Sequence, residues 1–241
     1  MNSVRYSGRS EKGLRDINED AFCAEKIGAF WVFAVADGLG GHAAGEVASA
    51  MAIDCVRASF RAGGKDPKTL LKKAVADADA HILAMATGKE EVQGMATTLT
   101  AACVDHTLHC TIINVGDTRA HLISATGFEV TKDHSYVQGL IDAGKITVEE
   151  AWHHPKSNIL LQALGDPEGE ILPDIYEADL TDTFLLLTSD GLHDYVKAGW
   201  ITEIVRKDGK NLELSCDELV QAAIKNDSDD NITVVLAHGE H

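Results

Sequence analysis

The segment Phe30-Trp31-Val32-Phe33-Ala34-Val35-Ala36 constrains the chain most: an unbroken apolar run, rich in aromatic and β-branched side chains, cut off by Asp37-Gly38. A run this short and this apolar reads as a buried strand. The junction recurs. Asp117 follows Val115-Gly116, Asp190-Gly191 follows the apolar run 184–188, and Asp230-Asn231 stands directly before Ile232. Any one of these pairs is a good turn former. Strands that share a core bring their ends together, so the pairs taken jointly predict several carboxylates at one rim.

Converging carboxylates repel and raise one another's pKa values. Cations neutralise such a cluster, and oxygen-only ligands select Mg²⁺ or Mn²⁺ over Zn²⁺. Gly38, without a side chain, lets its backbone carbonyl approach an ion. Two cations about 3.5–4 Å apart would hold a phosphate ester and activate a water between them. That chemistry needs no nucleophilic side chain, and the sequence has no GxSxG, HExxH or P-loop.

Other residues fit around this cluster. Arg15 precedes Asn18-Glu19-Asp20 and is the best candidate for bidentate grip on phosphate oxygens. His42 lies in the glycine loop after Asp37 and is a candidate proton donor. His153, His154, His238 and His241 lack zinc-ligand partners at suitable spacing and read as surface or loop residues.

Elsewhere, Val47, Met51 and Cys55 recur at helical spacing up to about Phe60. A second helix follows Asp66-Pro67, with Leu71, Val75, Ala78 and Ile82 on one stripe. Residues 97–104, 108–115, 119–124 and 128–131 read as consecutive strands that should pair antiparallel. Helical pieces follow at 136–143 and 148–152. Ser215, with Glu218 as a capping box, is expected to open a last helix, and 232–237 to form a last strand. This succession predicts an α+β fold of antiparallel sheets packed face to face, with helices outside.

The 241 residues carry 45% hydrophobic side chains and no Ser/Gly-rich divider, so one domain over 1–241 is expected. The net charge of −17 argues against nucleic acid as partner and against a two-metal nuclease. Five cysteines without CxxC spacing predict buried free thiols in a reducing compartment. No signal peptide or membrane-length apolar run is present, which predicts a cytoplasmic protein without a membrane partner. A monomer is the default.

Taken together, these residues resemble the metal-dependent protein phosphatases of the type 2C family in its bacterial or archaeal single-domain form. Gly13-Leu14-Arg15-Asp16-Ile17-Asn18-Glu19-Asp20 looks like the opening motif, and Val35-Ala36-Asp37-Gly38-Leu39-Gly40-Gly41-His42 like the central one. Met95-Ala96-Thr97-Thr98-Leu99-Thr100 and Gly116-Asp117-Thr118-Arg119 are similar to the middle motifs. Thr188-Ser189-Asp190-Gly191-Leu192 and Asp230-Asn231-Ile232-Thr233-Val234-Val235 resemble the closing ones. Each motif alone is weak; their order is specific.

The resemblance implies a four-layer αββα sandwich and hydrolysis of phosphoserine and phosphothreonine in proteins by a metal-activated water. It implies Mn²⁺ or Mg²⁺ as cofactor, two ions per chain and a weaker third. Asp37 would bridge both metals. Gly38 would offer its carbonyl to one, Asp190 and Asp230 would bind the other, and Asp117 with Asp190 would make the third site. Glu19 and Asp20 would hold metal-bound waters, and Arg15 the substrate phosphate. Residues 135–164 would be a mobile flap beside the cleft. Partners would be phosphorylated proteins, among them a Ser/Thr kinase or its substrates, or a partner-switching regulator. Ala96 and Thr118 depart from the family's glycine and serine, and neither removes a metal ligand. Leu39 stands where animal relatives carry a histidine, so His42 is not a safe equivalent of that acid.

Overall fold

The computed structural model describes residues 2–40, 44–87, 92–208 and 211–240. The chain opens with strands β1 (Ser3–Glu11), β2 (Asp20–Ile27) and β3 (Phe30–Leu39), then helices α1 (Ala44–Arg61) and α2 (Pro67–Ala86). Strands β4 (Ala96–Thr97), β5 (Leu99–Val104), β6 (His109–Val115), β7 (Arg119–Ile123) and β8 (Phe128–Val130) follow. Short helices α3 (Tyr136–Asp142) and α4 (Val148–Trp152) lead to β9 (Asp174–Asp179) and β10 (Phe184–Thr188). Helices α5 (Asp190–His193), α6 (Ala198–Asp208) and α7 (Leu212–Lys225) precede β11 (Ile232–Glu240).

The strands form two antiparallel sheets, β1-β11-β10-β7-β8 and β2-β3-β5-β6-β9, with β4 on the end of β3. The period of two along a strand explains their stacking. Phe33 and Val35 of β3 meet Leu185, Leu187, Val235 and Ala237 between the sheets. Their neighbours Val32, Ala34 and Ala36 face α1 and α2, packing with Ala48, Ala52, Leu71 and Ile82. On the far side, Leu186, Val234 and Leu236 pack against Ile201, Val205, Leu219 and Ala223 of α6 and α7. The layers are helix, sheet, sheet, helix, as expected. The central strands are apolar on both faces because both faces are covered.

Three local expectations fail. Residues 108–115 and 119–124 do not pair with each other: β6 belongs to one sheet and β7 to the other. Gly116, Asp117 and Thr118 carry the chain across. Gly116 takes φ +97, and a Cβ there would stand 2.6 Å from Thr98 Cγ2. Ser215 does not open the last helix; it lies one turn inside α7, whose N-cap is Asn211, accepting from the Leu214 N–H. The capping box is elsewhere, Thr147 with Glu150 at the start of α4. The run 97–104 is split at Thr98 into β4 and β5. All five cysteines are buried and free.

Candidate metal centre

The sheets bring the anticipated aspartates to one end of the sandwich, though not all in turns. Asp37 is part of β3 and lies directly opposite Asp20 of β2. Gly38 continues the strand, pairing with Thr97. Asp190 opens α5, with Ser189 as its N-cap. Asp230 lies two residues before the start of β11, and Asp117 sits in the crossover between sheets.

The backbone around Asp37 is fixed from both sides. Its N–H donates to Thr98 Oγ1 at 3.0 Å. Its carbonyl accepts from the Thr98 N–H at 2.9 Å and from Thr97 Oγ1 at 2.8 Å. The Gly38 N–H donates to the Glu19 carbonyl at 3.1 Å. A Cβ on Gly38 would stand 2.1 Å from the Gly45 carbonyl oxygen, so only glycine lets α1 start this close to β3. The Gly45 N–H, in the first turn of α1, favours the charged form of the Glu19 carboxylate, while burial disfavours it.

Electrostatics tie the carboxylates into one group. Burial pushes Asp37 and Asp190 well above the ordinary aspartate range. Asp190, Asp20, Asp117 and Asp230 add to the effect on Asp37; Asp117, Asp230, Asp194 and Asp20 add to that on Asp190. Asp117 is pushed up to about 7, by burial and then by Asp133 and Asp194. Asp20 is pushed up to about 6 by burial, although Thr233 and Ser189 stabilise its charge. Like charges in low dielectric cannot all ionise without compensation.

The donor set fits hard divalent cations. Glu19 Oε1, Asp20 Oδ1 and Asp190 Oδ1 are shut off from solvent and have no hydrogen-bond partner. Orphaned buried carboxylate oxygens are costly unless they meet a cation. Every anticipated ligand is an oxygen donor, which suits Mn²⁺ or Mg²⁺. Among the described residues, no three His, Cys, Asp or Glu side chains already close around a single point. Two of the carboxylates have partners of their own: Ser189 Oγ donates to Asp20 Oδ2 at 2.7 Å, and Arg15 Nη2 donates to Asp230 Oδ2 at 2.7 Å.

Arg15 also donates from Nε to the Asp229 carbonyl at 2.9 Å, so it reaches the cluster and occupies Asp230. His42 lies outside the described residues.

Several neighbours carried no signal of their own. Asn231 accepts from the Glu19 N–H at 2.7 Å and donates to the Lys12 and Ile17 carbonyls at 2.8 and 3.0 Å. Asp133 makes a bidentate pair with Arg119, at 2.8 and 2.6 Å, beside Asp117. It follows no apolar strand and precedes no glycine, so the strand-end pattern passes over it. His121 Nε2 and His193 Nδ1 lie 3.0 and 2.8 Å from Thr188 Oγ1, beneath Asp190 in the chain.

The family model described as protein phosphatase 2C matches residues 7–203. The chain belongs to the protein phosphatase 2C family. It is 37% identical over 237 residues to the serine/threonine protein phosphatase PstP of Mycobacterium tuberculosis, covering 97% of this chain and 45% of that protein. The chain thus spans about half the length of PstP. It is 36% identical over 209 residues to the serine/threonine phosphatase stp of Listeria monocytogenes, covering 84% of this chain and 82% of that one. Among solved structures, Stp1 of Staphylococcus aureus superimposes with a TM-score of 0.92 at 35% identity, over 99% of this chain and 96% of that one. The catalytic domain of PstP in complex with two manganese ions gives 0.88 at 34% identity, over 100% of both chains. The family fold is the sandwich described above.

Proposed function

We propose that this chain hydrolyses phosphoserine and phosphothreonine in proteins at a binuclear Mn²⁺ or Mg²⁺ centre. The observation that carries the reading is the set of mutually raised, buried carboxylates with orphaned oxygens, in a fold shared with a relative that binds two manganese ions. Asp37 would bridge the ions, with the Gly38 carbonyl on one and Asp190 and Asp230 on the other. Asp117 with Asp190 would hold a weaker third, and Glu19 and Asp20 would orient water.

When bound, the cations supply positive charge for the phosphoryl oxygens and lower the pKa of water. The chain's own work is positioning. Arg15 turns from Asp230 toward the incoming phosphate, trading one carboxylate for a bidentate anion. Thr97 and Thr98 keep Asp37 from rotating out of line. Asn231 holds the segment that carries Arg15 and Glu19. Residues 135–164, anchored by bridges Ser135↔Leu160 and Thr97↔Leu164, form a flap over one side of the cleft. Its partners would be phosphorylated proteins, including a kinase or a partner-switching regulator. Among the described residues no helix is long and apolar enough to cross a membrane.

Hydrolysis of phosphoserine and phosphothreonine peptides in Mn²⁺, with and without chelator, tests the reading. Turnover that survives complete metal removal would sink it.

A further inference from the structure

Beside the metal centre lies a partly exposed aromatic surface. Trp200, near the start of α6, is 49% exposed. Together with Trp152, Asp194, Tyr195, Lys197 and Asn226 it lines an open pocket of about 470 Å³. The pocket is connected to the site through two residues, Tyr195 and Asp229. Tyr195 donates its hydroxyl hydrogen to Asp229 Oδ1. The Asp229 carbonyl accepts from Arg15 Nε at 2.9 Å, and the next residue is Asp230. Tyr195 and Asp229 therefore form a continuous hydrogen-bonded path from the pocket to Arg15. Asn226 Nδ2 donates to the Tyr195 carbonyl at 2.7 Å and fixes the near wall.

Resting on the phosphatase reading above, we propose that this pocket is a substrate subsite that receives an aromatic or branched aliphatic side chain flanking the phosphorylated residue. Three arguments carry it. First, continuity: a hydrogen-bonded path through Tyr195 and Asp229 joins the pocket wall to Arg15, and an extended segment advances roughly 3.3–3.6 Å per residue, so a side chain within a few positions of the phosphate spans that path. Second, wall chemistry: two indoles and a phenol ring offer flat apolar faces, the composition of binding hot spots. Third, charge: the Lys197 ammonium lies 3.4 Å from Glu149 Oε1 and 5.9 Å from the Trp152 ring centroid. Its charge is thus met from within the protein, and Asp194 on the wall disfavours an acidic guest. The pocket selects an uncharged apolar residue.

The test compares phosphoserine peptides that carry Phe, Leu, Ala or Asp on either side of the phosphorylated position, with p-nitrophenyl phosphate as a substrate too small to reach the pocket. Wild type should prefer Phe and Leu over Ala and Asp on one side. Trp200→Ala should lower kcat/KM for the Phe and Leu peptides roughly tenfold, mainly through KM, as for loss of an apolar pocket contact. Its rates on the Ala peptide and on p-nitrophenyl phosphate should stay at wild-type level. Trp200→Phe should restore most of the preference. A variant that leaves the preference intact, or that lowers all substrates alike, overturns the subsite. A wild-type protein inactive on p-nitrophenyl phosphate in Mn²⁺ overturns the phosphatase reading itself, which is a separate outcome.

Discussion

The Asn231 side chain and the Glu19 backbone meet at 2.7 Å, across a sequence separation of 212 residues. The same amide donates to the carbonyls of Lys12 and Ile17. One side chain at the mouth of the last strand thereby sets the loop that carries Arg15 and leads into Asp20. The first and last motifs of the chain are parts of one device.

Replacing Asn231 by Ala removes all three bonds in a position that is 4% exposed. An unsatisfied buried backbone group costs about 1–3 kcal/mol, and water reaches part of this loop, so a loss of about 2–3 kcal/mol is expected. The loss of order falls on Arg15 and Glu19, so KM for phosphopeptide should rise more than the melting temperature alone explains. Melting curves and steady-state kinetics on the same sample check this; unchanged KM in a folded variant would refute it.

Gly38→Ala tests the close approach of α1 to β3. The new methyl would meet backbone atoms on two sides, the Gly45 carbonyl oxygen at 2.1 Å and the Glu19 carbonyl oxygen at 2.7 Å. Backbone cannot step aside as a flexible side chain can, and a cost of about 3 kcal/mol or more follows. Gly139→Ala is the contrast. Nothing lies within 4 Å of a Cβ there, and the residue is in α3. That change should stabilise by about 0.5–1 kcal/mol. Chemical denaturation of both variants decides.

The layered fold and the gathering of the aspartates at one end of the sandwich are legible because they rest on strong, local signals. An apolar run such as 30–36 can only be a covered strand, and an Asp at its end is visible in the sequence. Partners and paths are not. The sheet switch at Gly116 looks like a hairpin turn, because short spacing predicts pairing and only the tertiary packing of β7 on β10 overrides it. β1 gives no clear apolar signal because Ser3–Glu11 is an edge strand with many polar residues. Asn231 looks in the sequence like a turn residue beside Asp230, yet its work is done on residues more than two hundred positions away. Ser215 satisfied a capping pattern, but Asn211 satisfied the geometry one turn earlier.

Asp190→Asn separates the two effects of charge at the site. In metal-free protein the variant should be more stable than wild type, because a buried carboxylate repelled by Asp117, Asp230 and Asp20 is replaced by a neutral amide. The stabilisation that Mn²⁺ gives wild type should shrink or vanish, since ligation contributes to stability as binding does. Phosphatase activity should fall by orders of magnitude. Thermal melts with and without Mn²⁺ read the first two, and a metal-free variant that melts below wild type would refute the repulsion argument.

Arg15→Ala frees Asp230 from its ion pair and removes the candidate phosphate grip. The pair is partly exposed, with the Arg15 side chain at 51%, so its removal should cost less than about 1 kcal/mol of stability. Substrate binding should suffer far more, with kcat/KM lowered about a hundredfold, as for loss of a charged hydrogen bond in a site. Inorganic phosphate should also inhibit the variant more weakly. Equal inhibition of variant and wild type would remove Arg15 from the phosphate site.

The pH dependence of metal-free stability should have two limbs of opposite sign. Asp20 and Asp117 are held at about 6 and about 7 in the folded chain, against an ordinary value near 3.8. The folded state therefore keeps protons that the unfolded state has released. Their contribution is full below the ordinary value and is lost as pH rises through the folded values. His121 behaves in the opposite way. Burial and Arg119 hold it at about 3, so between 6.5 and 3 the unfolded chain takes up a proton that the folded chain refuses. Stability from that group falls as pH falls below 6.5. Between pH 6.5 and 8 the carboxylates lower the stability of metal-free protein while the unfolded chain's loss of its remaining His121 proton raises it, so the limb is read by difference: Asp117→Asn should flatten the carboxylate contribution relative to wild type. Mn²⁺ should flatten it too, because the cation favours the ionised carboxylates that the proton otherwise neutralises. Identical changes in metal-free stability between pH 6.5 and 8 for wild type and Asp117→Asn would contradict the carboxylate cluster as the source of strain.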